Sequence, residues 1–532
     1  MDQINKSGLD LNILYHGMSK LIVVDISLDR DHDNPQLIFE SLNSTGLDLS
    51  QADLIRNYIL MKLETKEQEI LYKSYWHPME KGFGNFNESS LFDRFMRDYL
   101  TVKTGRIPNI KNVYADFKEY VSRQKEISIE EILKDIYQYS KYFVNLAFQS
   151  EKDKEIKDVL VDINSLKVDV SYPFLLEVYD DYTKGRVTKE DFIAILKLVE
   201  AYVFRRAICG VPTNSLNKTF ATLGKEIVKE DYLQSVQAVF ALKDSYRRFP
   251  NNEEFMRELK VKDVYNFRNR NYLLRKLENH KRKEIVDIES YTIEHIMPQN
   301  ENVSIEWKKS LGENWEEIQK TYLHTLGNLT LTRYNSELSD KPFILKRDME
   351  GGFGDSPLRL NRGLGKLEKW NEEEIVTRGN RLAELAVSVW SYPEIPEEVI
   401  LQYKKKPEGN TGVKYTIDNF PFLTGELLSL YNLLRKRICN LDSSVREEYN
   451  QLYIAYKTTT NFVDIVPQKS RLRLSLNIAF NEIHDPEGIC KDITNLGRWG
   501  NGDVEFGISQ ENEIEYAMFL IQQSFDKHRD ED

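Results

Sequence analysis

The chain has 532 residues, of which 41% are hydrophobic and 30% charged, with 25 Gly and 15 Pro. That balance excludes collagen-like, low-complexity and disordered chains and predicts roughly three or four globular domains. Its 73 basic against 85 acidic residues give a net charge of −12, which excludes a protein that coats nucleic acid with its whole surface but leaves room for a local basic groove.

Cys209, Cys439 and Cys490 are the only cysteines and form no C-x-x-C pair, so neither a disulfide framework nor a cysteine zinc site is expected. No apolar run approaches the roughly 20 residues that span a bilayer. The N-terminus lacks an apolar core followed by a small-residue cleavage site. A cytoplasmic location without membrane contact is expected.

In chain order, KLIVVDISL (residues 20–28) is β-branched and reads as a buried strand. After the turn Asn43-Ser44-Thr45-Gly46, Ser50 N-caps a helix from Gln51, with Asp53 as a shortened capping-box acid. Residues 72–277 hold amphipathic helices, among them one N-capped by Thr188 with acids in its first turn. YTIEHIMPQN (residues 291–300) breaks that pattern, and HTLGNLTLT (324–332) reads as a strand containing a turn. SIEWKKSLGENWEEIQKTYL between them is helical, and short helices follow, with Pro342 at a first helical position. This is a β–β–α unit with an inserted helix. Residues 393–412 form a linker by composition. A last α+β domain has a helix at 425–437, the strands TTNFVDIVPQ and RLRLSLNIAF, a hairpin turn at Gly497 and Gly500-Asn501-Gly502-Asp503, and a helix at 511–524 before a frayed tail.

Of the eight histidines, His16, His32, His280 and His528 sit in polar or terminal contexts, and His77 and His484 beside turn signals. His295 stands out by its company. Glu294-His295 ends a strand-like run, Asn328 lies between two strand-like halves 33 residues on, and Asn335 opens a helical stretch that reaches Lys346. A one-metal nuclease needs this inventory. Glu294 and Asn335 offer hard oxygen ligands for magnesium or manganese. The imidazole of His295 can take a proton from the attacking water. Asn328 can pin the loop that orients the imidazole. Lys346 can stabilise the extra charge of a pentavalent phosphate, or stand as a solvated surface lysine. His324 reads as a satisfied strand histidine or as a neighbour of the site.

YTIEHIMPQN with LHTLGNLTLTRYNSELSDKPFILKR closely resembles the HNH-type nuclease domain at the C-terminus of GmrSD-type modification-dependent restriction enzymes. The resemblance implies a ββα-metal fold. It aligns His295 with the general base, Glu294 with the acidic metal-side position, Asn328 with the central Asn and Asn335 with the last metal ligand; His324 falls on a family position. It extends upstream through IFESLNSTGLDLSQADLIRNYILM and the helical middle, and downstream to an accessory domain of unknown function. The family's Asp-Gly-Gln-Gln-Arg segment, tied to nucleotides in its ParB-like N-terminal domain, does not occur here. The chain is therefore expected to begin partway through that domain, with an upstream polypeptide as the candidate source of the rest and no assignable nucleotide-binding residue.

The expected architecture is mostly α with α+β parts: a remnant of the N-terminal domain (1–65), a helical domain (66–284), the nuclease unit (285–392), a linker (393–412) and the accessory domain (413–532). The expected function is metal-dependent cleavage of DNA, with modified phage DNA as the target implied by the resemblance. The rival reading is a DNA-binding or regulatory subunit of a split restriction system with a silent nuclease. Arg268, Arg270, Arg275, Lys276, Lys281, Arg282 and Lys283, interleaved with Phe267 and Tyr272, read either as a phosphate track into the active site or as a solvated helix face. Arg205 and Arg206 read as internal ion pairs or DNA contacts.

Overall fold

The computed structural model describes residues 10–22, 49–61, 63–84, 89–124, 126–403, 415–442, 445–458, 460–494 and 502–530. The strand expected at 20–28, the turn at 43–46 and the residues Gly497, Gly500 and Asn501 lie wholly or mostly outside them. The chain divides into two compact units, residues 1–144 and 145–532, so the boundary falls inside the stretch read from sequence as one helical domain. It is mostly α with α+β parts.

The first unit is helical. An exposed helix α1 (Leu11–Met18) is capped by Asp10, whose side chain accepts from Asn12 N. Then come α2 (Gln51–Leu60), α3 (Ser89–Thr104), α4 (Val113–Arg123) and α5 (Ile129–Phe148), which runs on past the boundary. Ser50 caps α2 as its sequence predicts, its hydroxyl accepting from Asp53 N at 3.1 Å. The core is aromatic: Phe83 stacks on Phe92 at 4.7 Å, and Phe95 and Phe143 close around them.

The second unit begins with α6 (Lys154–Ser165), α7 (Tyr172–Thr183), α8 (Lys189–Ile208), α9 (Tyr232–Ala241), α10 (Asn252–Val261) and α11 (Arg270–Asn279). Thr188 caps α8, accepting from Asp191 N at 3.1 Å. Arg205 and Arg206 on α8 are fully buried and meet carbonyls instead of acids or a free surface. Arg205 donates to Trp390 O, Pro250 O and Asn252 Oδ1, and Arg206 to Tyr246 O and Pro212 O.

Next comes a two-stranded antiparallel hairpin, β1 (Thr292–His295) with β2 (Leu329–Thr332). Between its strands lie α12 (Ile305–Leu311), capped by Ser304, and α13 (Trp315–Tyr322). The hairpin continues into α14 (Asn335–Leu338) and α15 (Phe343–Asp348), with Pro342 as the N-cap of α15 and not its first helical residue. The long α16 (Glu372–Val389) follows. Two four-residue strands are marginal alone. Here they are held by a core of Ile296, Met297, Trp307, Phe343, Phe353 and Trp370.

The last region carries α17 (Gly425–Cys439), a six-stranded antiparallel sheet and α18 (Ile514–Asp530). The strands are β3 (Arg446–Tyr449), β4 (Ile454–Lys457), β5 (Asn461–Pro467), β6 (Leu472–Leu476), β7 (Lys491–Asp492) and β8 (Val504–Ile508), in the order β3-β4-β5-β6-β8-β7. The helices pack on it through Tyr431, Leu434, Leu520 and Phe525. The expected frayed tail is corrected: α18 runs to Asp530, and His528 is buried with Nε2 2.7 Å from Asn477 O.

Candidate functional site

The hairpin brings the sequence-selected residues together. The Ile296 N–H donates to Asn328 O at 3.0 Å, so with the register Glu294↔Thr330 the main-chain groups of residues 292, 294 and 296 face β2. The carbonyls of Ile293 and His295 therefore point to the other edge of β1, where no strand pairs among the described residues. Two side chains cap them. Asn335 Nδ2 donates to Ile293 O at 3.1 Å, and Lys346 Nζ donates to His295 O at 3.0 Å and to Ile296 O at 3.3 Å.

Lys346 also meets Glu294 Oε1 at 2.6 Å. Lys346 is 0% exposed and Glu294 3%, so this is a buried ion pair and Lys346 is no surface lysine. Burial pushes the Glu294 carboxyl up, against the pull of Lys346, and Asp340 adds to the rise. Burial pushes the Lys346 ammonium down, against Glu294. Asp340 was not singled out in the sequence; it is exposed and accepts from Asn300 Nδ2 at 2.8 Å.

On the opposite face of β1, His295 Nε2 lies 3.1 Å from His324 Nδ1. Tyr265 covers both rings, stacked on His324 at 12° and edge-on to His295 with centroids 4.6 Å apart. The main chain of His324 is fixed by Val264 N, which donates to its carbonyl at 2.8 Å. Burial, then His324 and Lys346, push the His295 pKa down to about 3, against Asp263. The imidazole is neutral at ordinary pH. When its Nε2–H donates to His324, its Nδ1 carries a lone pair and meets no hydrogen-bond partner among the described residues.

Asn328 is completely buried and fully used. Its Oδ1 accepts from Met297 N at 2.8 Å and Trp370 Nε1 at 3.2 Å, and its Nδ2 donates to Met297 O and Leu323 O. It ties the segment after His295 to the residue before His324. The same loop is gripped by Arg378, which sequence reasoning passed over. Its guanidinium donates to Leu326 O, Gly327 O and Leu360 O. Burial lowers its pKa to about 9.

Glu294 Oε2 and Asn335 Oδ1 have no hydrogen-bond partner among the described residues; Asn335 stands at the outer edge of β1, and Glu294 projects from one face of the same strand. Hard oxygens of this kind fit magnesium or manganese. No group of three or more His, Cys, Asp or Glu among the described residues is placed to hold a metal, so these two oxygens would need water or phosphate to complete the shell.

A cleft of about 520 Å³ borders the hairpin, lined by Tyr265, Arg268, Arg270, Arg275, Ile293 and Asn335 among others. The basic stretch divides there. Arg268 is exposed, with no side-chain partner among the described residues. Arg270 donates to Tyr265 O at 2.5 Å, Arg275 pairs with Asp162, Lys276 with Asp162 and Glu200, and Arg282 with Glu278. Lys281 and Lys283 are exposed.

The sequence of this region has known counterparts. Residues 249–385 match the family model of the C-terminal domain of GmrSD restriction endonucleases. These residues are similar to that domain. The match spans the hairpin, both histidines, Asn328, Asn335 and Lys346, and ends inside α16. Residues 422–528 match a domain of unknown function, DUF5655, which is the six-stranded region. A curated relative, an uncharacterized protein of Haemophilus influenzae, is 36% identical over 107 residues, which are 20% of this chain. The chain spans 35% of that relative's length. The GmrSD-type domain is thus the part of the chain for which family and geometry meet. No helix among the described residues is long and apolar enough to cross a membrane.

Proposed function

We propose that the GmrSD-type domain makes this chain a metal-dependent DNA endonuclease that restricts modified phage DNA. One observation carries the reading: a neutral imidazole beside a carboxylate–lysine pair on a β–β–α hairpin, next to a cleft with arginines in its wall. His295 Nδ1 takes a proton from a water, whose oxygen bonds to phosphorus while the P–O3′ bond breaks and the leaving oxygen takes a proton from solvent. His324 fixes the tautomer of His295 through the Nε2–Nδ1 hydrogen bond. The value near 3 belongs to the protein without substrate; a phosphodiester alongside adds negative charge and raises it toward working pH. Lys346, by neutralising Glu294 and gripping two carbonyls, holds the edge of β1 still. Glu294 and Asn335 would hold a magnesium or manganese ion, which supplies Lewis-acid stabilisation of the phosphate charge. Arg268, exposed in the cleft wall, would receive the DNA backbone with Arg270 beside it.

The rival reading, a regulatory subunit of a split system with a silent nuclease, is favoured by the depth at which Lys346 already occupies Glu294. Cleavage of plain, hydroxymethylated and glucosylated phage DNA with magnesium or manganese, with and without nucleotide, separates the two. Cleavage lost in His295→Ala, with folding intact, is the expected outcome. Absence of cleavage in every condition, or full activity in the variant, sinks the nuclease reading.

A further inference from the structure

A second cavity, of about 620 Å³, lies away from the hairpin between α6, α8, α9, α11 and the end of α16. Its floor is an ion lattice. Asp162 accepts from Arg275 at 2.7 Å and Lys276 at 2.6 Å. Glu200, 3% exposed, accepts from Lys276 at 2.8 Å and from the Tyr272 hydroxyl, which in turn takes a hydrogen bond from Trp390 Nε1. Two acids are matched by two bases, so the floor is rigid and close to neutral.

The mouth is not neutral. Lys197 and Lys281 line it, both exposed and both without a side-chain partner among the described residues. Asp158 is the acid that the floor cations leave unengaged. Lys281 sits at a φ of 52°, a left-handed conformation that a non-glycine residue keeps only when its surroundings impose it. Arg359 donates to the carbonyls of both His280 and Lys281 there. His280 reports the local field: burial lowers its pKa, and Lys281, Lys276, Arg359 and Lys197 all push the same way. The remaining wall is mixed: Val161, Leu198, Val389 and the half-buried ring of Tyr392 give it an apolar part, and Gln237, Asn279, Ser388 and Ser391 a polar one. The volume lies within the range of small-molecule sites.

We propose that this cavity binds a small organic phosphate, with the phosphate between Lys197 and Lys281 and the organic part against Val389 and Tyr392. An unpaired pair of ammoniums at the rim selects the anion. The mixed wall, apolar at Val389 and Tyr392 and polar at Gln237, Ser388 and Ser391, rewards a ligand larger than inorganic phosphate. The site does not depend on the nuclease reading, since no residue of the hairpin lines it.

The test is calorimetric titration of the full chain with AMP, glucose 6-phosphate, adenosine and inorganic phosphate, beside the double variant Lys197→Glu/Lys281→Glu. These lysines make no side-chain bonds, so the variant should melt as the parent does. The expected result is that AMP or glucose 6-phosphate binds at least roughly tenfold tighter than inorganic phosphate, and that charge reversal weakens it by about tenfold or more. The proposal is overturned if neither organic phosphate saturates below about 5 mM, or if charge reversal leaves their binding unchanged. It is also overturned if the reversal abolishes binding of a short DNA duplex while small phosphates bind as before, which would assign both lysines to the DNA backbone.

Discussion

The Glu294–Lys346 pair gives the sharpest prediction. Replacing Lys346 with Met removes a cation that is 0% exposed and leaves a carboxylate, itself 3% exposed, without its partner at 2.6 Å. Breaking a buried pair from one side costs about 3–5 kcal/mol. The carbonyls of His295 and Ile296 lose their donor in the same step. Adding Glu294→Gln removes the orphaned charge, and the remaining loss should fall to about 1–2 kcal/mol, the cost of unmade neutral hydrogen bonds. Native-state hydrogen exchange of peptides covering β1 and β2 reads this locally, because the opening free energy of the hairpin is separable from that of the other regions. The single variant should exchange much faster and the double variant should recover most of the protection. If Lys346→Met costs under about 1 kcal/mol, or the double variant is no better than the single one, the pair is not the clamp described here.

Acid stability should report His295. Its folded pKa of about 3 lies below the ordinary 6.5, so the unfolded chain binds the proton more readily. Stability is fully present above about pH 6.5 and is lost as pH falls toward 3, by about 1.4 kcal/mol per unit within that window. Hairpin protection in His295→Gln should show a flatter pH dependence there, and an unchanged slope would refute the assignment. Trp370→Phe removes one of two donors to Asn328 Oδ1 and should cost about 1 kcal/mol by the same exchange measurement. Gly352→Ala would place a Cβ 2.4 Å from Lys346 O and 2.8 Å from Arg347 O and Met349 O. Those are backbone atoms that cannot step aside, so destabilisation of about 1–3 kcal/mol is expected from thermal unfolding; a neutral substitution would show that the segment around α15 yields.

What the sequence made legible was local. Ser50 and Thr188 cap helices because a hydroxyl before an apolar period satisfies amides two or three residues on, and both do so here. The β–β–α order around His295 was readable because alternation gives way to helical spacing within some sixty residues. What escaped was long-range polar pairing. Arg275 and Lys276 look like a solvated stripe because Asp162, which binds both, lies 113 and 114 positions away. His528 looks terminal because its anchor, Asn477 O, is on another element. Arg378 sits mid-helix with no sequence mark, since its partners are carbonyls. Charge sign can be read from a sequence; the identity of the group that answers it depends on the tertiary fold.

The unpaired edge of β1 explains why this hairpin remains two-stranded. An open edge with free carbonyls invites a further strand. Here the outward carbonyls of Ile293 and His295 are answered by side chains, Asn335 and Lys346, carried on helices too short to add a ladder. The edge is therefore satisfied without being covered. That leaves the residues on either face of β1, Glu294 with Lys346 on one side and His295 with His324 on the other, held to the same short strand. An error in register by one residue would exchange these faces and bury the imidazole against Lys346. Asn328, bonded to Met297 at both its amide atoms, and Arg378, bonded to Leu326 O and Gly327 O, fix the loops at the end of the hairpin next to His295. The polar groups with no catalytic contact of their own thus set the register on which the placement of His295 depends.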